Sequence, residues 1–155
     1  MTIKSRKIEP ANFRAYGVVV IRPTGAPDAQ ADSYQFWSDI ANYHIDGDTE
    51  IGYCTVFRCA NAAMTAVERH RGTPEILIPI DAPFILSVLL DEDADTEVRA
   101  FTVEVGQAVV IDADVWHGPC IPVGTEHSSY FVIFRRGTPQ RDNEKRAIEK
   151  VTVEL

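Results

Sequence analysis

From Ile51 to Arg135 the chain is written in short runs rich in β-branched and aromatic residues, each closed by turn-forming residues, and this pattern narrows the fold more than any other feature. The runs are Ile51 to Cys59, Ala63 to His70, Glu75 to Ile80, Phe84 to Leu90, Arg99 to Val105, Ala108 to Ile111 and Tyr130 to Arg135. Between them stand Pro74, Asp81-Ala82-Pro83, Asp91 to Asp95, Gly106-Gln107 and Gly118 to Gly124. Glycine, proline and aspartate reverse a chain because they supply positive φ, a fixed φ or a local side-chain acceptor. Short strands joined by such turn-like separators are what many-stranded sandwiches and barrels use, so the pattern predicts an all-β sandwich or barrel. No internal repeat recurs.

The flanks add smaller elements. Glu9-Pro10-Ala11-Asn12 predicts a short helix ending near Gly17, and Gly17 to Ile21 is a continuous β-branched run, as in a buried strand. Arg22 to Asp32 is turn-rich. Ser33 to Tyr43 carries Phe36, Trp37 and Ile40 at helical spacing, which predicts a second short helix stopped before Gly47-Asp48. Arg141 to Leu155 is charged and reads as a tail with one strand at Val151 to Val153. With 155 residues and no low-complexity linker, the expected organisation is a single domain over 1–155.

Charge excludes some partners. A formal net charge of -8 disfavours nucleic acid, since that binding draws on lysine and arginine displacing counterions. A small anionic metabolite fits if a local cation receives it. The basic start, M-T-I-K-S-R-K, runs into Glu9-Pro10 rather than an apolar stretch, so it does not read as a signal peptide, and no segment has membrane-spanning length. Cys54, Cys59 and Cys120 are odd in number and lack a C-x2-C pattern, which predicts reduced thiols in a cytoplasmic protein.

The chemistry concentrates in E-R-H-R-G-T-P-E, residues 68 to 75, and in G-x(10)-H from Gly106 to His117. On a strand Glu68 and His70 share a face and Arg69 takes the other. Gly72 and Pro74 turn the chain before Glu75. Taken singly, a glutamate belongs on a solvated rim, and a histidine such as His70 suits a core position bonded to a carbonyl. Two acids and two histidines at this spacing predict a shared pocket. Glu68, His70, Glu75 and His117 could hold a divalent metal (zinc, manganese, nickel or iron) with an open position for substrate. Without metal the same four could act as catalytic acid and base, histidine titrating near neutrality. His44 and His127 lie in turn-rich text and stay outside the site.

This spacing is similar to that of a cupin site, H-x-H, four residues, E, followed by G-x5-P-x-G-x2-H. Glu68 stands at the first histidine, His70 at the second, Glu75 at the carboxylate and His117 at the last histidine, while Asp112 and Asp114 stand at the proline and glycine. The first motif's flanking glycines are Ala62 and Ala82 here, and the closing asparagine of the second is Ile121. The resemblance implies an all-β, cupin-like double-stranded β-helix, a jelly-roll barrel, with short helices near the N-terminus.

F-R-A-Y-G-V-V-V, E-R-H-R-G-T-P-E-I-L-I-P-I, R-A-F-T-V, G-Q-A-V-V-I and D-V-W-H-G-P, in this order, resemble the ureidoglycolate lyase family of small cupins. That family shows E-R-H-P-x-x-x-Q-x-F-I-P and then W-H-x-P, so Glu68, Arg69, His70, Pro79, Trp116, His117 and Pro119 carry the match. Glu75 replaces its glutamine and Arg71 its proline. The resemblance implies a carbon-nitrogen lyase of purine catabolism, in allantoin degradation, that releases urea from a 2-hydroxy acid derivative to give glyoxylate, as a homodimer. Arg58, in F-R-C, stands where the family has an arginine, and its bidentate guanidinium is the expected holder of the substrate carboxylate. Trp116 is the second expected substrate contact, with packing as its plainer reading. The alternatives are a metal-dependent cupin isomerase, lyase or oxygenase acting on another small polar acid or sugar, and a non-catalytic ligand-binding cupin.

Overall fold

A computed structural model describes residues 1–59 and 63–154 of the chain. Ala62, one of the two alanines at the motif's glycine positions, lies outside the described residues. In chain order the strands are β1 (Thr2–Lys7), β2 (Gly17–Val20), β3 (Ala29–Ala31), β4 (Tyr34–Phe36), β5 (Thr49–Phe57), β6 (Ala63–Arg69) and β7 (Glu75–Pro79). They continue with β8 (Phe84–Leu89), β9 (Arg99–Val103), β10 (Ala108–Ile111), β11 (Trp116–His117), β12 (Ile121–Pro122), β13 (His127–Arg135) and β14 (Glu144–Glu154). Two one-turn helices, α1 (Pro10–Phe13) and α2 (Thr138–Arg141), precede β2 and β14.

The strands form the expected jelly-roll barrel. One sheet runs β2-β10-β7-β13-β5 and the other β11-β6-β14-β1-β9-β8-β12. Because β11 pairs with β6 through His117 and Glu68, and with β8 through Trp116 and Leu89, the second sheet's hydrogen-bonded circuit closes. Every residue of β8 is buried, so this strand packs on both faces. Phe84, Leu86 and Val88 face the core shared with Leu77, Val109 and Phe101, while Leu89 meets Trp116 and Val151 in a second cluster. Each such fully buried apolar side chain contributes about 1.5–3 kcal/mol.

The seven strands expected between Ile51 and Arg135 are present within two or three residues at their ends, as is the one beginning at Gly17. Two expectations are corrected. Ser33 to Tyr43 is no helix: β3 and β4 pair across Asp32-Ser33 as a hairpin, and Tyr34, Phe36 and Ile40 stay exposed. A short helix there would have no core to bury its apolar side. The charged C-terminal stretch is an eleven-residue strand, β14, between β1 and β6. Its charges are tolerated because they meet opposite charges across the pair, as Glu144 does opposite Arg69. No described helix is long and apolar enough to cross a membrane, and all three cysteines are free.

Candidate acid-histidine site

The turn from β6 to β7 carries the chain from one sheet to the other, and the site lies at that crossing. Glu68 and His70 come from the end of β6, Glu75 opens β7, and His117 sits in β11 directly opposite Glu68. Strand alternation sorts the neighbours as expected. Arg69 turns away from Glu68 and His70, pairs with Asp91 at 2.9 Å and Glu144 at 3.1 Å, and stacks its guanidinium 4.2 Å from the Trp116 ring. Asp114 adopts φ 70°, the left-handed backbone for which the cupin pattern places a glycine, and aspartate is among the few other residues that tolerate it. Its amide donates to the His70 carbonyl at 2.8 Å and ties the β10–β11 loop to the site.

Proton positions follow from the acceptors. His70 Nδ1 lies 2.6 Å from the Asp142 carbonyl and Nε2 lies 2.7 Å from Glu75 Oε2. A neutral imidazole has one N–H for two such acceptors, so this geometry describes an imidazolium beside a carboxylate. Burial pushes the His70 pKa down, but the hydrogen bond and charge of Glu75, helped by the Asp142 carbonyl and Glu68, raise it overall above the ordinary value. Burial pushes the Glu75 carboxyl up, yet the charge of His117 when protonated and the hydrogen bond from His70 outweigh it, so the carboxyl titrates below its usual range.

His117 is arranged differently. Nδ1 donates to the Val115 carbonyl at 3.1 Å, whereas Nε2 is buried with no hydrogen-bond partner among the described residues and lies 3.6 Å from Glu75 Oε2. Histidine and carboxylate ligand atoms of Glu68, His70 and His117 all lie within 4.8 Å of one another. The anchoring of both Nδ1 atoms by carbonyls leaves the two Nε2 atoms to face the site, the outer-shell arrangement seen around ligating histidines. An unpartnered Nε2 within such a set fits a divalent cation, with Glu75 adjacent to both imidazoles.

Two cavities meet at Glu68. One, about 310 Å³, is bordered by Glu68, His117, Pro119 and Lys145, at the lower end of the roughly 300–1,000 Å³ typical of small-molecule sites. The other, about 170 Å³, is bordered by Glu68, His70, Glu75, Cys54, Tyr130 and Asn143. The four residues expected to converge therefore do so. The two expected substrate contacts do not join them. Arg58 is exposed one residue beyond β5 and borders neither cavity, because β5 carries only Cys54 to the site and Arg58 lies four residues further along. Trp116 is 3% exposed on the face opposite His117, where its indole N–H donates to Asp91 and its ring packs against Leu89 and Val151.

Three residues at the site were not anticipated. Asn143 donates to Glu68 Oε2 at 3.0 Å, Asp142 accepts from His70, and Lys145 pairs in register with Glu68, which puts both side chains on one face. All three belong to the start of β14 or the residues before it, more than 70 positions from Glu68 and His70, and no local pattern signals them.

Fold and site together define a small cupin-type barrel with an acid-histidine pocket. The chain belongs to the ureidoglycolate lyase family, whose model matches residues 1–154. No curated protein matches it. Among solved structures, oxalate decarboxylase from Bacillus subtilis at pH 4.6 is 18% identical over 65% of this chain and 24% of that one, with a TM-score of 0.46. A structure of the same enzyme concerned with its Mn(II) centers is 17% identical at a TM-score of 0.47, over the same shares of both chains. Peruvianin-I, a cysteine peptidase from Thevetia peruviana latex, is 10% identical over 64% of this chain and 55% of that one, with a TM-score of 0.47. The chain thus spans about a quarter of the length of the decarboxylase it resembles.

Proposed function

We propose that this protein is a ureidoglycolate lyase whose base is His117 and whose acid is the His70–Glu75 pair. The observation that carries the assignment is the buried, unpartnered Nε2 of His117 facing, across Glu75, a His70 whose two ring nitrogens both meet acceptors. His117 Nε2 takes the proton of the carbinol hydroxyl, the oxygen's electron pair closes the carbonyl, and the C–N bond breaks. His70 Nε2–H supplies the proton to the departing nitrogen, so urea and glyoxylate leave as neutral amide and carboxylate aldehyde. An imidazolium held between two acceptors and an imidazole with a free lone pair are the acid and the base this elimination needs. Lys145 replaces Arg58 as the holder of the substrate carboxylate, since it is the cation on the cavity that Glu68 and His117 border. Asn143 fixes the rotamer of Glu68. Release of urea and glyoxylate in equal amounts from ureidoglycolate tests the reading; a folded protein that releases neither rejects it.

A second reading is favoured by the ligand atoms within 4.8 Å. Glu68, His70 and His117, with Glu75 beside them, would hold zinc, manganese, nickel or iron and let the protein act on another small polar acid or sugar. A cation bound there would supply Lewis-acid polarisation of a substrate oxygen. On the lyase reading the partner is a small anionic metabolite, and on either reading the free thiols suit a cytoplasmic setting.

The protein also pairs with a second copy through β5. This strand ends its sheet, and its outward row of Ile51, Tyr53 and Phe57 is 62–70% exposed, with Phe131 joining Tyr53 edge to face at 5.7 Å. A long apolar edge strand invites another strand edge unless something covers it.

A further inference from the structure

We propose that Asp142 is the positioning residue of this site, holding His70 with Nδ1 protonated and Nε2 turned to Glu75. Only its kinetic consequence rests on the lyase reading. Asp142 reaches the site at three points. Its main-chain carbonyl accepts His70 Nδ1–H at 2.6 Å, its Oδ1 accepts the Arg71 amide at 2.9 Å, and its Oδ2 accepts the Gly72 amide at 2.8 Å. One residue therefore grips the imidazole and the two peptide units that follow it.

The grip has its own support. Arg135 Nη2 lies 3.3 Å from Asp142 Oδ2, and its guanidinium rests on Gly72. A Cβ at position 72 would fall 2.9 Å from Arg135 Cζ, so glycine stands there to let Arg135 reach Asp142, without any demand for positive φ. Two amides on two carboxylate oxygens and a guanidinium on the second are charge-assisted bonds, roughly twice the strength of neutral ones. The Asp142 side chain is only 16% exposed, so water competes weakly.

The consequence for His70 is geometric. A carbonyl opposite Nδ1 fixes the ring plane, which decides whether Nε2 faces Glu75 and the cavity or swings off it. If the carboxylate did no more than stabilise a turn, its loss would lower stability and leave the ring as it is.

Nitrogen-15 NMR of the histidine rings, run with steady-state urea release, separates the two. In the full-length protein the His70 Nδ1–H proton should appear as a slowly exchanging resonance. Asp142→Ala should lose or broaden it with far-UV circular dichroism unchanged, and should lower kcat about 10–100-fold while KM stays within about twofold. Asp142→Asn, which keeps one acceptor oxygen, should fall between. Should Asp142→Ala not fold, Arg135→Gln carries the same test and should broaden the resonance with a few-fold lower kcat. A folded variant of either residue with the His70 Nδ1–H resonance unchanged overturns the proposal. If the protein releases no urea at all, the lyase reading fails and the resonance alone decides the role of Asp142.

Discussion

Replacing Glu75 by glutamine removes one charge from the site at nearly constant shape, and the pH dependence of the damage tests the proton assignment. Glu75 is 11% exposed and accepts a 2.7 Å bond from His70 Nε2. A hydrogen bond to a charged group is worth about 1.5–3 kcal/mol, and a neutral one about 0.5–1.5 kcal/mol. Glutamine can still donate to a neutral imidazole, so the expected loss is about 1–2 kcal/mol near neutrality. The larger cost of about 3–5 kcal/mol for stranding one buried ion is avoided, because His70 sheds its proton when its partner goes.

The sign follows from the two shifts. The folded His70 pKa is raised above 6.5, so the pair's contribution is complete below that value and fades as pH rises through the raised one. On the acid side the folded Glu75 pKa lies below 4.5, so the contribution persists at 4.5 and is lost as pH falls through the lowered value. Urea denaturation of wild type and Glu75→Gln should therefore differ by about 1–2 kcal/mol near pH 6, with the difference shrinking toward zero in alkaline buffer. A loss of equal size at both pH values, or none near pH 6, refutes the imidazolium-carboxylate assignment. Urea release should fall on the substitution, because the neutral His70 it leaves keeps its proton on Nδ1 and has none on Nε2 for the departing nitrogen.

Removing the His117 lone pair by His117→Gln should lower kcat at least about 100-fold with the fold intact, as measured by urea release; activity within a few-fold of wild type excludes His117 as base. Lys145→Ala should raise KM about tenfold with kcat nearly unchanged, a loss of about 1.4 kcal/mol appropriate to one exposed charged contact; an unchanged KM removes Lys145 from carboxylate binding. If the metal reading holds, calorimetry should show stoichiometric zinc or manganese uptake with proton release, absent in His117→Ala, because the ion displaces the His70 Nε2 proton. Protein that takes up neither ion ends that reading. Light scattering should show a dimer that Tyr53→Lys converts to monomer, and a monomeric wild type discards the β5 interface.

What the sequence determined by itself was whatever depends on neighbours along the chain. Alternating apolar runs and turn residues specify strands, and the spacing of Glu68, His70 and Glu75 on one strand, turn and strand places three site groups together whatever else the fold does. His117 followed because the second motif repeats a known spacing. Only the tertiary structure decided the rest. Asp142, Asn143 and Lys145 reach the site through the register of β14 against β6, and β14 exists because strand pairing offsets a charged sequence that has little strand propensity of its own. Tertiary contacts also left Arg58 past the end of β5, seated Trp116 in the core on the face opposite His117, and turned Ser33 to Tyr43 into a hairpin and loop. Pairing register and packing couple residues remote in sequence, and periodicity carries no information about which remote segment will arrive.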